Sequence, residues 1–543
     1  MRNNSHKRDG CEAGLAKSRC SFGALPSWPG RALTGVLLSL CCALAHAQDL
    51  PRTAAGKPDL QGIWKAQASA VEGLETAAAK GNMQSVLALV TGGNIPYKEA
   101  AAQQRQANFN DRLAADPLNH CFLPSVPRIM SLDYPYQIFQ DGDELAMTFQ
   151  WTQVYRHIPI NDKPSLYEGV EAWMGRSRGH WEGDTLVVEV RDFNDRSWLD
   201  ASGNFHSAAL NVTERYKMVD ANTIHYEATL TDPEVFTQPW TLSYDLQRQS
   251  GQVRLMEFQC QAEKEELSGD FERDERTWYP APIPPENAPF DASASGNLPP
   301  PQVTGAIRRR PDGTPDISGY FMADAGGANY GLETSQGGFL TPAARGVVVD
   351  PDHGGLPYQV WARAEKDERV LPQRGYDDPT AHCFVAGLPR SHYVPSPFYI
   401  IQTSDYVVML HERMAWRQIS LKRTTPLPDE VRLWQGDSLG HWEGDTLVVD
   451  SSNFNGKTWL NEAGDVISHM EKLRETYTPV SENRVIYRAT VSDPIVYTRP
   501  WTIEIPLDRS EDEILEVACL EDNGDLQHLK DVRDEYRAAQ KSN

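Results

Sequence analysis

Positive charge is scarce in this chain: 52 Lys and Arg stand against 75 Asp and Glu in 543 residues, a net −23. A surface this acidic repels phosphate backbones and anionic lipid heads, so nucleic acid and membrane surfaces are not expected partners. Long apolar runs are missing as well. ALTGVLLSLCCALA (Ala32 to Ala45) has 14 residues, short of the ~20 that cross a bilayer, so no membrane span is expected. The histidines are scattered, with no H-E-x-x-H or H-x-x-x-H, and the cysteines lack C-x-x-C spacing. There is no P-loop and no G-x-G-x-x-G. No metal site and no cofactor is therefore expected.

That apolar run does fit something else. Arg2, Lys7, Arg8, Lys17, Arg19 and Arg31 precede it and Ala45-His46-Ala47 follows it. A basic region, a short apolar core and a small-residue site predict a signal peptide over residues 1–47, cleaved after Ala47, and a protein of the periplasm or the secreted fraction. Four of the eight cysteines leave with it; Cys121, Cys260, Cys383 and Cys519 remain.

The dominant feature of the rest is duplication. GHWEGDTLVV runs from Gly179 to Val188 and again from Gly440 to Val449. DPLNHCFLPSVPR (Asp116 to Arg128) answers DPTAHCFVAGLPR (Asp378 to Arg390), and DPEVFTQPWT (Asp232 to Thr241) answers DPIVYTRPWT (Asp493 to Thr502). Each copy owns one early and one late cysteine, so the pairs Cys121–Cys260 and Cys383–Cys519 are favoured among the three possible. A proline-rich stretch over 277–314 reads as a linker between repeats at 48–276 and 315–543, and its Arg308-Arg309-Arg310 run as a solvated patch. Two beads with separate cores are expected.

Within each repeat the hydrophobic period is two, broken by turn residues. YQIFQDGDELAMTFQ and HWEGDTLVV read as hairpins, the latter turning at Glu182-Gly183-Asp184. Many short antiparallel strands indicate a sandwich or closed barrel. Residues 72–115, rich in Ala and Gln, predict a helical insertion in the first repeat.

The Gly62-Ile63-Trp64 opening resembles the G-x-W of lipocalin-like barrels, in which that Trp plugs the closed end. D-P-x-x-x-C…P-R, G-x-W-E-G-D-T-L-V-V and D-P…T-x-P-W-T together resemble a widespread group of secreted, mostly uncharacterised bacterial proteins. This chain looks like a tandem of two such units. The resemblance implies a mainly β fold of two tandem lipocalin-like antiparallel barrels; it implies no activity.

Candidate site residues follow from the pairing. Arg128, Arg390, Arg156 and Arg417 are cations in apolar surroundings, able to grip a ligand carboxylate or phenolate or to close internal ion pairs. Trp173 and Trp198 are candidates for a ligand-lining wall, or for core. Glu182 and Asp184, repeated as Glu443 and Asp445, most simply satisfy turn amides. Asp200 and His206 form the one asymmetric pair, since Asn461 and Ile467 replace them in the second copy. They are candidates for an oriented acid–base couple in the first repeat, or a turn with its capping His. The related single-copy proteins often place a Glu six residues before the strand Arg; Gln150 and His411 stand there in this chain. Expected functions are binding of a small apolar or aromatic oxygenated ligand, a cofactor-free hydratase, dehydratase, isomerase or lyase acting on such a compound, or an envelope structural role.

Overall fold

A computed structural model describes residues 50–67, 73–75, 89–161, 163–269, 298–337, 342–413, 415–521 and 523–541. The expected signal peptide, parts of the expected helical insertion and most of the expected linker lie outside the described residues.

The chain is mainly β, in two tandem barrels. In the first, nine strands follow the alternating pattern: β1 (Gly62–Ala66), β2 (Tyr136–Asp141), β3 (Glu144–Phe149), β4 (Tyr155–Pro159), β5 (Arg176–Glu182), β6 (Thr185–Arg191), β7 (Asn211–Asp220), β8 (Thr223–Thr231) and β9 (Trp240–Arg248). They form one sheet in the order β4-β3-β2-β1-β9-β8-β7-β6-β5, with β4 and β5 flanking the seam. The second repeat builds β10 (Gly319–Ala323), β11 (Val348–Asp350), β12 (Phe398–Gln402), β13 (Tyr406–His411), β14 (Ala415–Ser420), β15 (Asp437–Glu443), β16 (Thr446–Ser452), β17 (Lys472–Ser481), β18 (Arg484–Ser492) and β19 (Trp501–Ser510). Here the seam is sealed: Ile419 and Ser420 of β14 pair in parallel with Ser438 and Leu439 of β15, while β10 bridges β12 and β19. The decapeptides form the β5–β6 and β15–β16 hairpins, with Gly183 and Gly444 at φ +61° and +59° in the turns. Only glycine takes that conformation without strain.

Helix α1 spans Glu99–Ala115, so the helical insertion is narrower than 72–115 among the described residues. Val90 instead makes a β-bridge to Leu242, because it and its neighbour Leu89 join the barrel core. Helix α2 (Cys260–Ser268) follows the first barrel, α3 (Val360–Arg369) lies in the second repeat, and α4 (Gly524–Lys541) ends the chain. No helix among the described residues is long and apolar enough to cross a membrane.

Trp64 of the G-x-W opening is fully buried; its indole N–H donates to Leu60 O at 2.9 Å and the Arg248 guanidinium lies 4.2 Å over its ring. In the second copy Phe321 replaces it under Arg509. Both disulfides form within their own repeats, Cys121–Cys260 and Cys383–Cys519.

Each barrel has its own sheet and core, but the barrels are not free beads. Ile63, Phe139, Ala146 and Tyr155 of the first pack on Ile401, Val408, Leu410 and Trp416 of the second in a third buried cluster, and Trp416 Nε1 donates to Phe149 O at 3.0 Å. The segments after the last strands then cross over. Residues 254–268 lie on the second barrel: Arg254 pairs with Asp437 at 2.9 Å, Glu257 accepts from the Trp434 and Gln435 N–H groups, and Glu265 meets His382 at 2.6 Å. Residues 512–521 lie on the first: Tyr167 donates to Asp512 at 2.7 Å, and Glu516 accepts from Trp173 N and Met174 N at 2.7 and 2.9 Å. In the arginine run Arg308 and Arg309 are exposed, as a solvated patch would be, but all three side chains are engaged. Arg308 pairs with Asp316, Arg309 with Asp445, and Arg310 joins Asp141 of the first barrel to the Gln402 carbonyl of the second.

Candidate functional site

The four candidate arginines are all buried, and each guanidinium fork is filled from within its own barrel. Asp116 caps the short turn after it by accepting Leu118 N–H at 3.0 Å, and the same carboxylate takes Arg128 at 2.8 and 2.7 Å. Asp378 and Arg390 repeat this at 2.9 Å twice, with Arg390 Nε donating to Asn329 at 3.0 Å. The Asp and Arg of D-P…P-R are thus one bidentate pair.

Arg156 on β4 and Arg417 on β14 point into the barrel centres. Arg156 grips Glu214, which also accepts from Tyr216 and Tyr226 hydroxyls at 2.8 Å each. Arg417 grips Glu475 in the same way, with Tyr477 at 3.3 Å and Tyr487 at 2.8 Å. Burial works against both cations, yet the facing carboxylates hold them charged and raise their pKa. These arginines therefore close internal ion pairs rather than wait for a ligand. The dry central cavity expected of a carrier barrel is occupied by this network.

His206 and Asp200 are both fully buried and make no hydrogen bond to each other. His206 Nε2 meets Ser197 Oγ at 2.8 Å and Nδ1 meets Ser207 O at 2.9 Å. Burial holds its pKa below the usual value, partly offset by that carbonyl. Asp200 accepts from Leu74 N, Ser202 N and Asn204 Nδ2, which makes it the centre of a turn. The expected acid–base couple is thereby replaced by two separate structural sites. Trp198 is core, 8% exposed. Trp173 stacks on Phe122 at 5.1 Å, with its indole N–H on Glu521 at 3.0 Å. Asp184 and Asp445 serve not turn amides but Arg52 and Arg309, as bidentate pairs of 2.7–3.0 Å.

A G-x-S-x-G pentapeptide occurs in both copies, GRSRG from Gly175 and GDSLG from Gly436. In each the serine sits within a strand, on β5 or β15, rather than at a strand-to-helix elbow. Ser177 and Ser438 are buried and hydrogen-bonded to Arg156 and Arg417, at 3.0 and 3.1 Å, with no histidine beside them. They support the ion pairs.

Room for a guest lies elsewhere. Where the crossed segments meet, a cavity of about 190 Å³ opens between the barrels, flanked by both disulfides. Phe122, Leu123, Phe384, Val385, Val394 and Leu520 supply its apolar wall. Polar side chains complete it, among them Arg390, Arg413 and Glu462, and three of them carry buried atoms without a partner. Gln435 is 2% exposed and Gln259 5%; neither amide nitrogen has a partner, nor has the Gln435 oxygen. His411, at the end of β13, is 3% exposed with Nε2 unpartnered. Burial, then the charges of His392 and Arg417, push its pKa well below the usual value, so the ring is neutral. His392 lies 5.9 Å from it, ring to ring, and its own Nε2 meets the Tyr477 hydroxyl at 2.7 Å. A buried polar atom without a partner costs about 1–3 kcal/mol, so several around one cavity mark a site built for an occupant. A wider groove of about 460 Å³ beside Glu471 is lined by Asp429, Arg432, Asp450, Lys472 and Arg474, too charged for an apolar guest.

The cavity residues escaped sequence reasoning because its walls come from both repeats. One signal was present: β12–β13 register pairs Phe398 with His411 as β2–β3 pairs Tyr136 with Phe149, so His411 is the counterpart of Phe149 and not of Gln150.

Comparison of the chain with protein-family models, with curated proteins and with solved structures finds no match.

Proposed function

We propose that this is an exported two-barrel protein that binds a small, mostly apolar or aromatic, oxygenated compound in the cavity between its barrels. The observation that carries the reading is the cavity itself: about 190 Å³, with an apolar part to its wall and unpartnered polar atoms of Gln259, Gln435 and His411 among its lining residues. A dry apolar cavity of about 150 Å³ holds a benzene, so a single substituted ring fits. The leader-like N-terminus and two disulfides support an oxidising compartment, periplasm or outside. The acidic charge supports a small molecule, rather than nucleic acid, as the partner. Membership of the secreted group with the same motifs rests on the sequence resemblance.

Native mass spectrometry of the purified chain is expected to show a copurifying small molecule or uptake of added aromatic compounds. Ala386→Trp, which places a large side chain in the cavity, is expected to abolish it while His206→Ala leaves it unchanged. Uptake unaffected by Ala386→Trp would remove the reading.

A second reading is favoured by the neutral imidazole of His411 beside the His392–Tyr477–Glu475 chain: a cofactor-free lyase or isomerase with His411 moving a proton on the bound compound. Turnover that disappears in His411→Phe but survives His206→Ala would select it over a carrier. The second barrel, not the first, is then the chemical one.

A further inference from the structure

We propose that the compound held between the barrels is a neutral, hydroxyl-bearing single-ring molecule, a phenol or a cyclic alcohol, whose hydroxyl is read by His411, Gln435 and Gln259. This rests on the binding reading above and adds the ligand class. The cavity-lining polar atoms that lack partners are the Gln259 amide nitrogen, which donates, the Gln435 amide nitrogen and oxygen, which donate and accept, and His411 Nε2, which does either according to its tautomer. A hydroxyl is the small group that answers such a set in either sense. A carboxylate only accepts, and an ammonium only donates.

Two charged groups that line the cavity, Arg390 and Glu462, are already engaged within the protein. Arg390 is held by Asp378 and Asn329. Glu462 accepts from Asn329 at 2.7 Å. Arg413 is exposed at the rim, with Glu462 and Glu412 acting on it and burial raising the pKa of both carboxyls. His411 is uncharged, first through burial and also through the nearby His392 and the Arg417 cation, both of which disfavour a second positive charge.

The polar side is also found once only. The positions that correspond to His411, Gln435 and Gln259 across the repeat are Phe149, Met174 and Ala518. Of these counterparts only Ala518 lines the cavity, so the duplication supplies the polar reader once, for one ring rather than two.

Calorimetric titration of the full chain with phenol, toluene and benzoate tests this. Phenol is expected to bind at least tenfold more tightly than toluene, and benzoate more weakly than either. In His411→Phe, with folding checked by circular dichroism, the advantage of phenol over toluene is expected to fall to less than threefold while toluene binding persists. Gln435→Met provides the same readout should His411→Phe not fold. Toluene binding as tightly as phenol, benzoate binding more tightly than phenol, or an advantage unchanged in these variants overturns the ligand class and leaves the cavity reading standing. If none of the three binds, the cavity reading fails and the ligand class with it.

Discussion

At the centre of the first barrel the Arg156–Glu214 pair is wrapped by Met130, Met147 and two tyrosines; Arg156 Nη1 lies 3.5 Å from the Met130 sulfur. At the same place in the second barrel the Arg417–Glu475 pair keeps its tyrosines and Met409, but His392 stands for Met130 and His411 for Phe149. Leu210 likewise becomes Glu471 and Val190 becomes Ser451. What both copies retain is what the barrel needs: a buried ion pair capped by tyrosines, a D-P…P-R clasp and a disulfide. What the second adds at this place is polarity in positions that are apolar in the first, and there His411 Nε2 and a Glu471 carboxylate oxygen have no partner. The duplication thus separates fold from function by subtraction, and the comparison can be pressed by experiment.

The disulfides come first because they are the strongest shared element. Cys121–Cys260 closes 139 residues and Cys383–Cys519 closes 136. Loop-closure entropy then assigns each a stabilisation of about 4–5 kcal/mol, nearly the same for both. Serine replacement of either pair is expected to shift denaturant unfolding equally. A difference above ~1 kcal/mol would show that one crossed segment is held by packing alone.

Next is the ion pair. Glu214→Ala and Glu475→Ala each strand a buried arginine and are expected to cost about 3–5 kcal/mol in urea unfolding. The neutral His392 near Arg417 cannot take over the lost charge. Replacing both partners, Arg417→Met with Glu475→Leu, is expected to cost much less than either single change. An equal cost would mean that shape, not charge, decides.

The crossed segments set up a matched pH effect. Glu257 is pushed up to about 7 by burial, against the pull of Arg254 and two backbone N–H groups; Glu516 is pushed up to about 7 by burial, against two N–H groups and Arg176. Between the ordinary carboxyl value near 4.5 and 7, the folded chain holds protons that the unfolded chain releases. Each glutamate therefore stabilises fully below pH ~4.5 and loses its contribution, on the order of 3 kcal/mol, as pH rises through 7. The histidines His206, His392 and His411, held below their usual value, work in the opposite sense below about pH 6.5. Comparison with Glu257→Gln and Glu516→Gln isolates the effect: each variant is expected to flatten the fall of melting temperature between pH 5 and 8, and by similar amounts.

Much of this was legible in the sequence, and the limits are physical. Alternation in NVTERYKMVD marked a strand with one buried face, and its burial alternates accordingly. The disulfides followed from cysteines at matching places in two copies. The Asp116–Arg128 clasp lay inside a quoted motif, twelve residues apart, yet nothing local said that the two ends met. Arg156 and Glu214 are 58 residues apart and share only an inward face, which periodicity cannot pair. The cavity was out of reach, since Gln259 and Gln435 converge only once the segment after β9 crosses to the other barrel. Counting six residues back from each Arg even misplaced His411, because the β3–β4 connection is one residue longer: Met147 faces Arg156 where Met409 faces Arg417.

The smallest expected effect is the most telling about why the copies diverged. His411→Phe imports the first barrel's residue and removes a buried nitrogen that has no partner, so it is expected to stabilise the chain by about 1–3 kcal/mol in urea unfolding. His392→Met is expected to be near neutral, because Met130 holds that place in the first barrel and Tyr477 still reaches Glu475 at 3.3 Å once its bond to His392 is gone. The reverse change, Phe149→His, places a lone imidazole in the first core and is expected to cost a similar 1–3 kcal/mol. If His411→Phe both stabilises the chain and lowers its preference for phenol, His411 is kept for the proposed ligand, the usual exchange of stability for activity. If His411→Phe instead destabilises the chain, His411 belongs with the ion pair and the disulfide as part of the scaffold, and the asymmetry between the barrels says nothing about a ligand.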